Sequence, residues 1–149
     1  MLKLIWKERL GLPECVYLTR WVLQFKRFSI RLHYWTGSDD QEYYHDHAWW
    51  FRTFVLWGGY LDISPGPDGQ PVTDTLTFGS TRYREAEYKH KVKIIKPTVT
   101  LMITGPDERK FGFWINEKFV VARRYFFQYG HHPCEDGQPR VKTKPGKKQ

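Results

Sequence analysis

The feature that most constrains this chain is the recurrence of short runs rich in β-branched and aromatic residues, with turn-forming residues between them. Such runs suit the strands of a sandwich or barrel, and their number and brevity exclude a Rossmann-type layout. Strands are expected at Trp21–Phe25, Phe28–Tyr34, Tyr43–His47, Arg52–Trp57, Tyr60–Ile63, Thr73–Phe78, Lys91–Ile95, Thr98–Ile103, Phe111–Trp114 and Phe119–Ala122. Thr36–Gln41, Gly58-Gly59, Ser64–Gly69 and Gly105–Arg109 carry the turn chemistry that divides them into hairpins. Leu2, Ile5 and Trp6 fall on one side of a short helix expected over Met1–Arg9.

The chain has 149 residues, enough for one core. We expect a domain over 1–130, with its barrel core at about 20–122, and a basic tail over 131–149. Of the formal charge of +8, five charges sit at Arg140, Lys142, Lys144, Lys147 and Lys148, with no acid after Arg140. A nucleic-acid partner is therefore not expected except through that tail. Cys15 and Cys134 match no metal-ribbon spacing; a disulfide between them is one reading, and free thiols of a cytoplasmic protein are the plainer one. No apolar run approaches the roughly 20 residues that span a bilayer, so no membrane association is expected.

The segment Tyr43-Tyr44-His45-Asp46-His47 carries the chemistry. On a strand, residues two apart share a face, so the imidazoles of His45 and His47 point the same way, about 7 Å apart along the chain, and Asp46 points opposite. The pair could share one metal ion, or be two satisfied histidines.

At this point the sequence resembles the cupin superfamily, whose first motif is G-x5-H-x-H-x3,4-E-x6-G and whose second is G-x5-P-x-G-x2-H-x3-N. His45-x-His47 is followed after four residues by Arg52 and, six further on, by Gly59, so Arg52 occupies the glutamate position. Gly79 through His90 reproduces the spacing of the second motif, with Glu85 at its proline, Glu87 at its glycine and Ile94 at its asparagine. The chain is also similar to a group of bacterial and phage cupin-like proteins through His45-Asp46-His47-Ala48-Trp49, Gly58-Gly59-Tyr60, Thr104-Gly105-Pro106 and Gly112-Phe113-Trp114.

The resemblance implies an all-β double-stranded β-helix, a jelly-roll barrel with a short N-terminal extension, in which His90 joins His45 and His47. Three imidazoles on one side of an ion leave open positions for water, substrate or dioxygen. The expected cofactor is a divalent metal, iron(II) first, with zinc, nickel or manganese as alternatives. Either this is a three-histidine site in which Arg52 grips an anionic group of a small-molecule substrate, or the site holds no metal. Glu85 or Glu87 could fix the tautomer of His90, or both could be exposed hairpin charges. His33 could replace a missing ligand or be a core histidine, and Asp39 and Asp40 are expected to satisfy local backbone N–H groups. His131, His132 and Cys134 read as part of the tail.

The leading expectation is a metal-dependent cupin enzyme, of iron-dependent oxygenase type, acting on a small polar or anionic molecule. The alternatives are a metal-free sugar or nucleotide epimerase or isomerase, and a ligand-binding module without catalysis. Exposed sheet edges favour a homodimer.

Overall fold

A computed structural model describes residues 2–39 and 41–129. Asp40, His131, His132, Cys134 and the basic tail lie outside the described residues.

Ten strands and one helix follow in order: β1 (Leu2–Leu12), β2 (Cys15–Phe25), β3 (Ser29–Trp35), β4 (Tyr44–His45), β5 (Phe51–Pro65), β6 (Pro71–Thr77), β7 (Thr81–Arg84), β8 (Lys91–Thr104), β9 (Gly112–Ile115), β10 (Lys118–Val121) and α1 (Ala122–Tyr129). Seven of them form one sheet in the order β1-β2-β3-β8-β5-β6, with β7 also on β5; the other three form a second sheet, β10-β9-β4. Every pairing is antiparallel.

Long strands replace several pairs of short ones. Arg52–Trp57 and Tyr60–Ile63 are two halves of β5, and Lys91–Ile95 and Thr98–Ile103 are two halves of β8. The two strands bend together instead of breaking. Their register shifts between Val55 and Tyr60, and Gly58 takes a left-handed φ of 83°. The Thr98 hydroxyl accepts the Gly59 N–H at 2.9 Å and donates to the Gly59 carbonyl at 3.0 Å, so the irregularity leaves no polar group of Gly59 stranded. A Cβ at Gly58 would stand 2.4 Å from the Pro97 carbonyl oxygen. Gly58→Ala is accordingly expected to destabilise the fold by about 1–3 kcal/mol through strain and overpacking, read as a lower midpoint in urea.

The N-terminal segment is a strand, not the expected helix. From Leu2 to Leu12 it pairs with β2 across the turn containing Pro13 and Glu14. Trp6, Glu8 and Leu10 are half-buried while Ile5, Lys7 and Arg9 are exposed, a period of two that outweighs the apolar triplet. The large sheet thus begins well before residue 20. Conversely, the last expected strand ends at Val121, and α1 starts at Ala122. Ala122 and Tyr125 recur at helical spacing and pack with Phe113 of β9 in a small core under the second sheet.

The main core is built from Tyr17 and Leu18 of β2, Trp35 of β3, Val55 and Tyr60 of β5, Leu76 of β6 and Val92 of β8. Cys15 is disulfide-bonded, which overturns the free-thiol reading for it. Among the described residues no helix is long and apolar enough to cross a membrane.

Candidate metal centre

The two sheets meet through His45 and His90. Each backbone N–H of this pair donates to the other's carbonyl, at 3.0 and 2.9 Å, forming a bridge between β4 and the residue that opens into β8. The next two residues of the His45–His47 segment are held by other partners: the Asp46 N–H donates to Gly112 and the His47 N–H to Ala86. The segment is therefore extended without being a regular strand beyond His45, and its side chains alternate as the spacing predicts.

Asp46 points away from the histidines and is fully buried. Its carboxylate accepts the Gly112 N–H and the Trp114 indole N–H, each at 2.9 Å, and a charged hydrogen bond from Arg109. It locks the segment to β9 and to the loop before it.

His45, His47 and His90 each offer a ring nitrogen within 4.8 Å of the others'. His90 Nδ1 donates to the buried carboxylate of Asp62 at 2.7 Å, so its Nε2 presents a lone pair. That atom lies 3.4 Å from His47 Nε2. Two nitrogens each about 2.1 Å from a tetrahedral ion stand at this separation, so the donor set fits a divalent transition metal. His47 Nδ1 is buried without a hydrogen-bond partner among the described residues. Burial, followed by the neighbouring rings of His90 and His45, holds the His47 imidazole well below its ordinary pKa, in the neutral form that a metal requires. His45 Nδ1 lies 3.6 Å from Asp39.

Asp62 is the carboxylate that sequence reasoning missed. Burial alone would raise its pKa, but His90 and Arg84 outweigh burial and hold it below the usual carboxylate range. Arg84 donates to Asp62 and to Asp74, which in turn pairs with Arg82, so the support for His90 extends across β5, β6 and β7. A signal existed in the sequence: Tyr60 and Asp62 share the inward face of one strand, where an acid needs a partner. Asp39 does not serve the local backbone alone, as its turn suggests; it accepts the distant Val92 N–H, at 2.9 Å, as well as facing His45.

Arg52, Glu85 and Glu87 are not brought to the histidines. All three are exposed. Phe51 and Thr53 take the inward positions of β5, so alternation sends Arg52 outward, where its guanidinium lies 5.7 Å from the Tyr83 ring centre. The inward residue beside the site is Phe51, whose ring centre is 4.5 Å from that of His47. One residue before the position that motif spacing gives to glutamate, Phe51 thus presents an apolar ring to His47 and His90. Glu85 and Glu87 flank the buried Ala86, and Asp62 performs the role expected of them.

The histidines open on a cavity of about 880 Å³, walled by the inner faces of β2, β3, β5 and β8 together with Trp49, Asp107 and Phe113. His33 lies on this wall with both ring nitrogens unpartnered among the described residues. Burial first, then Arg20 and Arg31, push its pKa down to about 3, so the folded state keeps it neutral. In the unfolded chain it takes up a proton below about pH 6.5. Its contribution to stability is therefore full above that pH and is lost as pH falls toward 3. Melting temperatures from pH 7 to pH 4 should fall less steeply for His33→Leu than for the wild-type chain; equal slopes would contradict this.

No family model and no curated protein matches the sequence. Solved structures do match. Iron(II) HppE superposes on 70% of this chain with a TM-score of 0.57 at 12% identity. An RmlC-like cupin from Shewanella frigidimarina covers 69% with a TM-score of 0.52 at 17% identity. Oxalate decarboxylase from Bacillus subtilis covers 69% with a TM-score of 0.54 at 9% identity. The chain spans 59% of the length of HppE and 28% of that of oxalate decarboxylase, but 86% of the Shewanella protein.

Proposed function

We propose that this chain, an all-β jelly roll with the cupin fold, is a metal-dependent protein that acts on a small polar or anionic molecule in the cavity above His45, His47 and His90. The observation that carries the reading is the convergence of these three rings, with Asp62 fixing the tautomer of His90. His47 and His90 would hold the ion through Nε2, and His45 through one of its ring nitrogens. Phe51 supports a three-histidine set because it places no oxygen donor beside them. A bound iron(II) ion would supply dioxygen chemistry through the positions left open; zinc, nickel or manganese would act as a Lewis acid. Trp49, Phe51 and Phe113 give the cavity apolar walls beside the rings. HppE, which shares this fold, carries iron(II), and iron is accordingly the first metal to test.

The test is anaerobic addition of iron(II), zinc, nickel or manganese, one at a time, to chelator-treated protein. At 100-fold excess over its dissociation constant, the resident ion should stabilise the fold by about 2.7 kcal/mol, seen as a rise in melting temperature that chelator reverses. Iron(II) should also give oxygen uptake with the substrate. No shift with any of the four metals would sink the proposal.

One contact favours a second reading. His90 and Asp62, at 2.7 Å, also form the pair that a metal-free isomerase or epimerase needs for a general base. Turnover governed by one histidine and indifferent to chelator would select it.

A further inference from the structure

The inner face of β3 presents Ser29, Arg31, His33 and Trp35 in alternation, all buried. Arg31 is the unusual member. It is 9% exposed and lines the same cavity as the three histidines. Its Nε donates to Ser29 Oγ at 2.9 Å, and that hydroxyl is paired with Thr104 Oγ1 at 2.6 Å. Its guanidinium carbon sits 4.6 Å from the centre of the Trp49 ring. These contacts orient the group without neutralising it. Among the described residues Arg31 forms no salt bridge; the nearby Glu8 is paired with Arg20. Burial, and then repulsion from Arg20, lower its pKa to about 10, and attraction from Glu8 and Asp107 offsets only part of this. The residue is still charged at neutral pH.

A cation held in a buried wall without a carboxylate is costly unless something else answers its charge. Two residues along the strand, His33 adds a neutral imidazole, 4% exposed, whose nitrogens find no partner among the described residues. Trp49 sets the scale: it touches Arg31 on one side, and its ring centre lies 5.3 Å from that of His47. The guanidinium and the metal-facing ring are thus within about 10 Å of each other, the span of a molecule of a few bonds.

We infer that Arg31, with His33 beside it, is the receptor for an oxyanion group, carboxylate or phosphoryl, on the small molecule that enters this cavity. The planar fork of a guanidinium matches such a group with two charged hydrogen bonds, and the imidazole supplies a further donor or acceptor. The inference builds on the metal reading only in placing the other end of the ligand at the three histidines. It assigns to Arg31 the role that motif spacing suggests for Arg52.

Calorimetric titration of the full chain with inorganic phosphate and with acetate, before and after chelator treatment, tests it. Saturable binding of at least one anion is expected in both preparations, and which one binds more tightly separates a phosphoryl from a carboxylate ligand. Arg31→Met should weaken that binding at least tenfold, Arg31→Lys should weaken it less, and Arg52→Met should leave it unchanged. Wild-type affinity in a folded Arg31→Met protein, or no saturable binding by the wild-type chain, would overturn the inference. Should Arg31→Met fail to fold, the Arg31 Nε–H resonance of the wild-type chain decides: it shifts saturably with the anion if the inference is right and stays still if it is wrong. Metal content is read separately. A chain that binds no metal but takes the anion at Arg31 loses only the metal reading, and a chain that binds metal but no anion loses only this inference.

Discussion

An Asp62→Asn protein is expected to bind its metal about 10- to 100-fold more weakly than the wild-type chain. The carboxylate accepts the Nδ1–H of His90 at 2.7 Å, which keeps the proton on that nitrogen and leaves Nε2 bare for the ion. Asparagine can accept the same proton, but it carries no charge to raise the basicity of the ring, and its amide group would meet Arg84. Arg84 retains Asp74 as a partner at 2.9 Å, so the fold should survive the change better than the site does. Competition with a chromophoric chelator measures the affinity. An unchanged constant would mean that Asp62 serves the packing of β5 and not the centre. Glu85→Gln and Glu87→Gln, both on exposed side chains, should leave the constant where it is.

The second large effect belongs to Asp46, and here stability falls first. Asp46→Ala removes the carboxylate that accepts from three donors: the Gly112 N–H, the Trp114 indole and the Arg109 guanidinium. The Gly112 N–H is buried, while the indole and the guanidinium are partly exposed, so their loss is discounted for solvent. Roughly 2–3 kcal/mol of destabilisation follows from leaving the buried donor unpaired and the other two without their acceptor. Because Asp46 stands between His45 and His47, the variant should lose metal affinity along with stability. Asp46→Asn keeps an acceptor and should lose less of both. Urea melts monitored by tryptophan fluorescence give the comparison, and a wild-type midpoint for Asp46→Ala would contradict the anchoring role.

Much of this architecture can be read from local pattern. The spacing of His45 and His47 states that their rings share a face and that Asp46 opposes them, because side-chain alternation holds even in the irregular extended segment that carries them. What the pattern does not state is the phase of a strand relative to a distant motif. Leaving four residues after His47 reaches Arg52, whereas the inward face of β5 begins at Phe51, and one residue separates a cavity wall from solvent. Gly58-Gly59 reads as a chain break. It is a bulge instead, since the Thr98 side chain replaces the missing ladder bonds, and only tertiary pairing reveals this.

Asp62 and Arg31 were hidden for a related reason. Each is one polar residue in an otherwise ordinary strand, and its meaning comes from what the neighbouring strands place opposite it. For Asp62 the partner is His90, 28 residues away. For Arg31 the telling fact is that no acid among the described residues is paired with it, which a linear sequence cannot display. The short helix expected at the N-terminus gives way because three apolar residues are a weak guide beside a complete hairpin register with β2.

Anomalous diffraction from crystals of the full chain, grown anaerobically with the ion that stabilises it and without chelator, tests the central claim most directly. The account predicts one peak, about 2.0–2.2 Å from a single nitrogen of each of the rings of His45, His47 and His90. A peak bound elsewhere, or none at these rings while the protein is otherwise as described, would contradict it.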